Sequence, residues 1–150
     1  MKLESEQLGL DINILVHLIR GKDAGKTLDR DYGLSSRRPR CVIPIVVKGE
    51  ILSFARNIGW GAEKLATLNL LIQSLPVVDI NSADVLSAYG ELDDLSRRQG
   101  SKMGKNDVWI AAIARVQQGV ILTTDQDFAH LHPAHVRVEY VDPATLEAAS

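Results

Sequence analysis

Short apolar runs alternate along the chain with longer segments whose apolar residues recur every three or four positions. A short run predicts a buried strand, and helical spacing predicts an amphipathic helix. The first pair is the run at residues 8–10, followed by a helix from Asn13 that Gly21 ends. Further strands are predicted at about residues 76–80, 120–122 and 136–141, and further helices at about residues 45–57, 62–75, 82–99, 106–118 and from 142 onwards.

The pattern breaks down between Gly21 and Arg40, where glycines and charged residues dominate. We predict a loop or lid there, with at most a short helix around residues 24–31. Residues 41–43 form a short apolar run that Pro44 ends. Proline suits the first turn of a helix better than a central strand, so the next helix is expected to begin at about Ile45.

Strands that alternate with helices predict a three-layer α/β/α sandwich with a mainly parallel central sheet. The 150 residues, of which 45% are hydrophobic, are enough for one sizeable core and too few for two ordinary domains. The expected organisation is therefore a single domain over residues 1–150.

The net charge and the cysteine content restrict the cellular compartment and the class of function that can be expected. The formal net charge of -2 disfavours a general nucleic-acid coat protein, which normally carries a basic excess. Contacts with phosphates would then be local or assisted by cations. The single cysteine, Cys41, cannot form an internal disulfide, and no segment is typical of a signal peptide or membrane span. These features predict a cytoplasmic protein with no membrane association.

Four acidic residues lie where a site would be expected in such a fold. Ligands of parallel sheets collect beyond the carboxyl ends of strands, where helices begin. Asp11 follows the first strand, Asp125 follows the strand at 120–122, Asp107 lies in the first turn of a helix, and Glu50 lies within one. Taken singly, Asp107 could be a capping residue, Asp125 a turn residue and Glu50 part of a solvated face. Their spacing alone does not establish that they converge.

Four segments, in chain order, resemble the motifs of PIN-domain ribonucleases, especially the VapC-type toxins of toxin-antitoxin pairs. They are Leu-Asp-Ile-Asn-Ile-Leu at 10–15, Ile-Val-Val-Lys-Gly-Glu-Ile at 45–51, Gly-Lys-Asn-Asp-Val-Trp-Ile-Ala-Ala at 104–112 and Leu-Thr-Thr-Asp-Gln-Asp-Phe at 122–128. Two departures stand out. Ile12 replaces a common hydroxyl residue, and Pro44 and Val47 replace a common Ser and Thr.

The resemblance implies a PIN-like fold and an endoribonuclease that depends on Mg²⁺ or Mn²⁺. It also implies a homodimer and a cognate antitoxin that holds the toxin inactive. The residues carried over as catalytic are Asp11, Glu50, Asp107 and Asp125. Three of these, Asp11, Asp107 and Asp125, are expected to bind metal, with Asn13 and Thr123 as supporting residues. Oxygen ligands suit either cation, and a cation would offset the repulsion among crowded carboxylates.

The sequence leaves two questions open, the role of its basic residues and the degree of catalytic activity. Arg37, Arg38, Arg40 and Lys105 are candidate RNA-binding residues, although a basic run is equally typical of a solvated face. The alternative function is a weakly catalytic PIN-fold binding module that acts in a regulatory protein or DNA complex, because Ile12 removes the usual hydroxyl beside Asp11.

Overall fold

Five strands form one sheet in the computed structural model, which describes residues 1–36 and 40–148. The strands are β1 (Leu8–Leu10), β2 (Cys41–Pro44), β3 (Val77–Val78), β4 (Val120–Thr123) and β5 (Arg137–Tyr140). They lie in the order β3-β2-β1-β4-β5, and each of the four pairings is parallel. The predicted sheet is thus confirmed.

The described residues also form seven α-helices and one 3₁₀ helix; the last helix follows β5, and the others connect successive strands. They are α1 (Ile12–Arg20), α2 (Asp23–Tyr32), α3 (Ile45–Ile58), α4 (Ala62–Ser74), α5 (Ala83–Arg98), α6 (Lys105–Gln117), the 3₁₀ helix (Gln126–Leu131) and α7 (Pro143–Ala148). None of these described helices is both long enough and apolar enough to cross a membrane.

Helices cover both faces of the sheet. Successive side chains of a strand point to opposite faces, and every residue of β2 and of β4 is buried. Burial on both faces requires a layer of helices on each side, which confirms the predicted three-layer sandwich. Helix α1 packs against α2, α3 and α4, while α5 packs mainly against α6.

Local signals fix the ends of the best-predicted helices. Asp11 caps α1, and Gly21 ends it in the left-handed conformation at φ 64°, where glycine has no steric penalty. Ser82 caps α5, since its hydroxyl accepts a hydrogen bond from the amide of Val85 at 3.1 Å. Both helices therefore begin and end close to the residues predicted from sequence.

The segment predicted as a loop or lid, with at most a short helix around residues 24–31, contains the ten-residue helix α2. Gly25 lies inside this helix, against the end of α1. A Cβ at Gly25 would overlap the carbonyl oxygen of His17. The glycine is there because the two helices approach closely, a tertiary requirement that the local pattern did not reveal.

Three smaller expectations were wrong. Pro44 is the last residue of β2 as well as the residue that precedes α3, so the strand includes the proline. The run at 76–80 forms only the short edge strand β3, in which Val77 is exposed. Helix α6 is capped by Gly104, which places Asn106 within its first turn and not at its cap.

Candidate active site

The order of the strands creates a crevice between β1 and β4. These neighbours lie at the middle of the sheet, and the chain leaves β1 towards β2 but leaves β4 towards β5. At such a reversal the connections diverge beyond the carboxyl ends of the strands and leave room for a ligand. Asp11 immediately follows β1, and Asp125 lies two residues after β4.

Asp11 is held rigidly at the base of this crevice. Its side chain is only 4% exposed. Its Oδ1 accepts a hydrogen bond from the amide of Ile12 at 2.8 Å, and its Oδ2 accepts one from the hydroxyl of Thr123 at 2.6 Å. Burial raises the pKa of Asp11, the two hydrogen bonds oppose that rise, and the negative charge of Asp125 adds to it. Each carboxylate oxygen keeps a lone pair for a further ligand.

Thr123 connects Asp11 to the next acidic segment. Its hydroxyl oxygen accepts a hydrogen bond from the amide of Asp125 at 2.9 Å while donating to Asp11. Asp125 in turn caps the 3₁₀ helix, because its Oδ1 accepts from the amide of Asp127 at 2.9 Å. One buried hydroxyl therefore links β1, β4 and the turn that carries two further carboxylates.

Asp107, in the first turn of α6, lies beside Asp125 and Asp127, and these three residues form the centre of an acid cluster. Asp107, Asp125 and Asp127 each place a carboxylate oxygen within 4.8 Å of the others. Burial raises the pKa of Asp107 to about 7, and the charges of Asp11, Asp125, Asp127 and Glu50 add to the rise. These electrostatic couplings place the four predicted acids in one neighbourhood.

Glu50 approaches the cluster from α3. Burial raises its pKa, the charge of Asp11 raises it further, and the side chain of Asn106 lowers it. Its Oε1 is buried and has no hydrogen-bond partner among the residues the structure describes. A buried acceptor without a partner is costly, so this oxygen is suited to a ligand that is not part of the chain.

The cluster has the composition of a site for a hard divalent cation. Its donors are carboxylate oxygens, which Mg²⁺ and Mn²⁺ prefer. Burial is the main cause of the raised pKa of Asp107, and repulsion among the neighbouring carboxylates adds to it; a bound cation would offset that repulsion. The residues present therefore fit such an ion.

Asp127 also belongs to the cluster, although only Asp125 of the fourth motif is predicted from the sequence as a site residue. The sequence signal for Asp127 is the Asp-x-Asp spacing of residues 125 and 127 after a buried strand. A cap that turns the chain into a short helix brings the second side chain back beside the first.

The predicted supporting and RNA-binding residues lie at different distances from the acids. Thr123 supports Asp11 directly, whereas Asn13 is exposed in the first turn of α1 and donates no described hydrogen bond to the acids. Lys105 is exposed at the start of α6, two residues before Asp107. Arg40 precedes β2, so it lies at the amino ends of the strands, whereas the acids lie at their carboxyl ends. Its guanidinium donates a hydrogen bond to the carbonyl oxygen of Glu4 at 2.7 Å. The predicted Arg37 and Arg38 lie outside the described residues.

Solved structures with a similar fold come from several bacteria. VapBC2 from Rickettsia felis, bound to a DNA fragment from its promoter, is 22% identical with a TM-score of 0.74 and covers 90% of this chain and 98% of that one. DNA-bound VapBC from Salmonella typhimurium is 20% identical with a TM-score of 0.71 and the same coverage. VapBC-1 from nontypeable Haemophilus influenzae is 21% identical with a TM-score of 0.66, covering 89% of this chain and 96% of that one.

Sequence comparison is informative at the level of the family. No curated protein matches the chain significantly. The model of the PIN domain matches residues 9–132, which is well over half of the sequence and includes all five acids of the cluster. With the parallel sheet and the acids at its carboxyl edge, this match establishes that the chain belongs to the PIN-domain family.

Proposed function

We propose that this PIN domain is an endoribonuclease that requires Mg²⁺ or Mn²⁺. The observation that carries the proposal is the cluster itself. Asp107, Asp125 and Asp127 hold carboxylate oxygens within 4.8 Å of one another, and Asp11 and Glu50 act electrostatically on the same group. Membership of the PIN family supports hydrolysis of a nucleic-acid phosphodiester, and RNA is the substrate that the sequence motifs favour.

The chain's residues have separable roles in this proposal. Asp11, Asp107 and Asp125 would hold the cation, and Asp127 adds negative charge beside them. A bound divalent cation polarises a phosphoryl oxygen and lowers the pKa of water. Thr123 fixes the Asp11 carboxylate, so little reorganisation is needed when substrate binds.

Glu50 has a different environment from the other acids. Its Oε1 is free to accept a hydrogen bond from a water molecule, and its raised pKa suits a group that accepts a proton during the reaction. Lys105, at the start of α6, supplies positive charge for a substrate phosphate.

The direct test is cleavage of a mixed single-stranded RNA by the purified chain. We expect products in Mg²⁺ or Mn²⁺, none in excess EDTA, and a loss of at least about a hundredfold in Asp107→Asn. Glu4→Gln, which changes an exposed acid near the amino end of β1, is the matched control and should cleave RNA like the wild type. Equal cleavage by the wild type and Asp107→Asn would refute the proposal.

The similar structures support a place for the chain in a toxin-antitoxin pair. They are described as VapBC assemblies, and another is a toxin-antitoxin complex from Klebsiella pneumoniae. We extend the proposal to a cytoplasmic, homodimeric toxin with a cognate antitoxin as its partner. Co-expression with the product of a neighbouring small open reading frame should suppress the ribonuclease activity.

A second function is favoured by one specific observation, the DNA bound to two of the similar assemblies. In that case the chain would be a weakly catalytic module of a regulatory DNA complex, and Ile12 would mark a relaxed site. Calorimetric titration with Mn²⁺ separates the two functions. Micromolar binding that Asp107→Ala abolishes supports the nuclease, whereas no binding supports the module.

A further inference from the structure

An open groove runs beside the acid cluster along one side of α3. Residues of α3 spaced three or four positions apart form one wall, while Ile12 at the start of α1 and Asn106 in the first turn of α6 face them. Its lining consists of Ile12, Val46, Gly49, Glu50, Ser53, Phe54, Asn57 and Asn106. Because Glu50 belongs to both, a substrate held at the acids would continue into this groove.

The chemistry of the lining selects a nucleobase over a phosphate. The described residues that line the groove include neither lysine nor arginine, and the one charged residue among them, Glu50, is acidic. A phosphate would therefore be repelled there. Apolar contact is available from Ile12, Val46 and Phe54, whose ring is supported edge-on by Trp60 at 5.5 Å between centroids. Neutral polar groups are available from Ser53 and Asn57, both exposed to the groove.

Gly49 leaves space for a ligand to approach the backbone of α3 closely. It lies inside the fourteen-residue α3, where glycine destabilises a helix relative to alanine. Apart from the neighbouring backbone of α3 itself, no described atom lies within 4 Å of the position that its Cβ would occupy, so packing does not require a glycine. Gly90 in α5 is equally unobstructed but does not line the groove. At Gly49 the missing side chain leaves the helix backbone accessible to a flat ring.

We infer that this groove binds one unpaired base of the RNA, adjacent to the phosphate that is cleaved. The base lies over Gly49 between Ile12 and Phe54, and Ser53 and Asn57 form hydrogen bonds with its edge. Proteins read single-stranded RNA in this way, with apolar or aromatic side chains on the base face and polar groups on its edge. Ile12, the departure from the family pattern, thereby provides an apolar wall. The inference rests on the proposed nuclease function only for the position of the cleaved phosphate.

The test measures base preference in binding, independently of cleavage. Four proteins share the Asp107→Asn background, which keeps the RNA intact: the parent and the variants Gly49→Leu, Ser53→Leu and Gly90→Leu. Leucine is a good helix former, so the three substitutions preserve their helices. Fluorescence anisotropy gives the affinity of each protein for short single-stranded homopolymers of A, C, G and U.

The parent should bind one homopolymer at least about tenfold more tightly than the weakest, a difference of about 1.4 kcal/mol. Gly49→Leu should reduce this preference to within about twofold, as should Ser53→Leu, which fills the groove one turn further along α3. Gly90→Leu should retain it. Equal binding of all four homopolymers by the parent, or an unchanged preference in Gly49→Leu, would overturn the inference. Base preference without cleavage by the wild type would instead refute the nuclease proposal alone.

Discussion

Thr123 donates its hydroxyl hydrogen to Oδ2 of Asp11 across 2.6 Å, although the two residues are 112 positions apart in the chain. The bond joins the carboxyl ends of the two central strands, and it is fully buried. Since the same hydroxyl oxygen accepts from the amide of Asp125, the geometry of the acid cluster depends on a single uncharged side chain.

Replacing that hydroxyl should damage both stability and activity. Thr123→Val keeps the shape of the side chain but leaves Oδ2 of Asp11 and the amide of Asp125 without their partner. We expect a loss of about 1–3 kcal/mol in the free energy of unfolding, measured in urea, and a fall of at least about tenfold in RNA cleavage. Thr123→Ser keeps the hydroxyl and should retain most of the activity. Equal activities of the two variants would show that the hydrogen bonds do not position Asp11.

The second prediction concerns the pH dependence of stability without metal. The fold raises the pKa of Asp107 from 3.8 to about 7, chiefly through burial and then through its acidic neighbours. A raised pKa means that the stability contribution is fully present below about pH 4 and is lost as the pH rises through 7. The metal-free protein should therefore become less stable over that interval, and Mn²⁺ should restore stability above it.

Asp107→Asn isolates this effect because asparagine cannot ionise. In EDTA, its thermal midpoint should change less between pH 4.5 and 8 than that of the wild type and should be a few degrees higher at pH 8. Asp94→Asn, at a partly exposed acid of α5 paired with Arg98, is the matched control. Parallel pH profiles for wild type and Asp107→Asn would argue against crowding of the acids.

Local sequence signals predict a helix or strand correctly where its formation and its ends are determined by residues within or next to it. The apolar run of β1, the Asp11 cap and the left-handed Gly21 define the first strand and helix without reference to the rest of the chain. Asp11 could be identified because it directly follows a buried strand, on the side of a parallel sheet where ligands are expected. The four acidic motifs were found through their order along the chain, which only the family resemblance made meaningful.

Features that depend on distant contacts were missed for the same physical reason. The need for a glycine at position 25 is apparent only from its contact with His17. Asp127 joins the acid cluster only because α6 brings Asp107 beside the turn that Asp125 caps. Arg40 belongs to a basic run in the sequence, but the parallel sheet places it at the edge opposite the acids. In each case the role of the residue depends on the three-dimensional arrangement, which local spacing alone does not specify.

A third prediction concerns a contact remote from the acids in sequence. The buried hydroxyl of Tyr32 in α2 donates to Oε2 of Glu139 in β5 at 2.8 Å, and burial together with this bond raises the pKa of the tyrosine. Tyr32→Phe should lower the free energy of unfolding by about 2 kcal/mol, because the bond to a charged acceptor is lost. Tyr140→Phe removes an exposed hydroxyl and should change it by less than about 0.5 kcal/mol. Similar losses in the two variants would contradict this role for Tyr32.

The last prediction separates the two functions that Asp127 can have in the cluster. Its backbone amide donates to Asp125 and holds that carboxylate in place, whereas its exposed side chain contributes charge beside Asp107 and Asp125. Asp127→Asn preserves the backbone bond and removes only the charge. If the side chain takes part in binding the cation, Mn²⁺ affinity measured by calorimetry at pH 7.5 should fall about tenfold, and Asp125→Asn should reduce it further. Asp94→Asn should leave it unchanged. A wild-type affinity in Asp127→Asn would limit Asp127 to its backbone role and leave Asp11, Asp107 and Asp125 as the metal-binding acids.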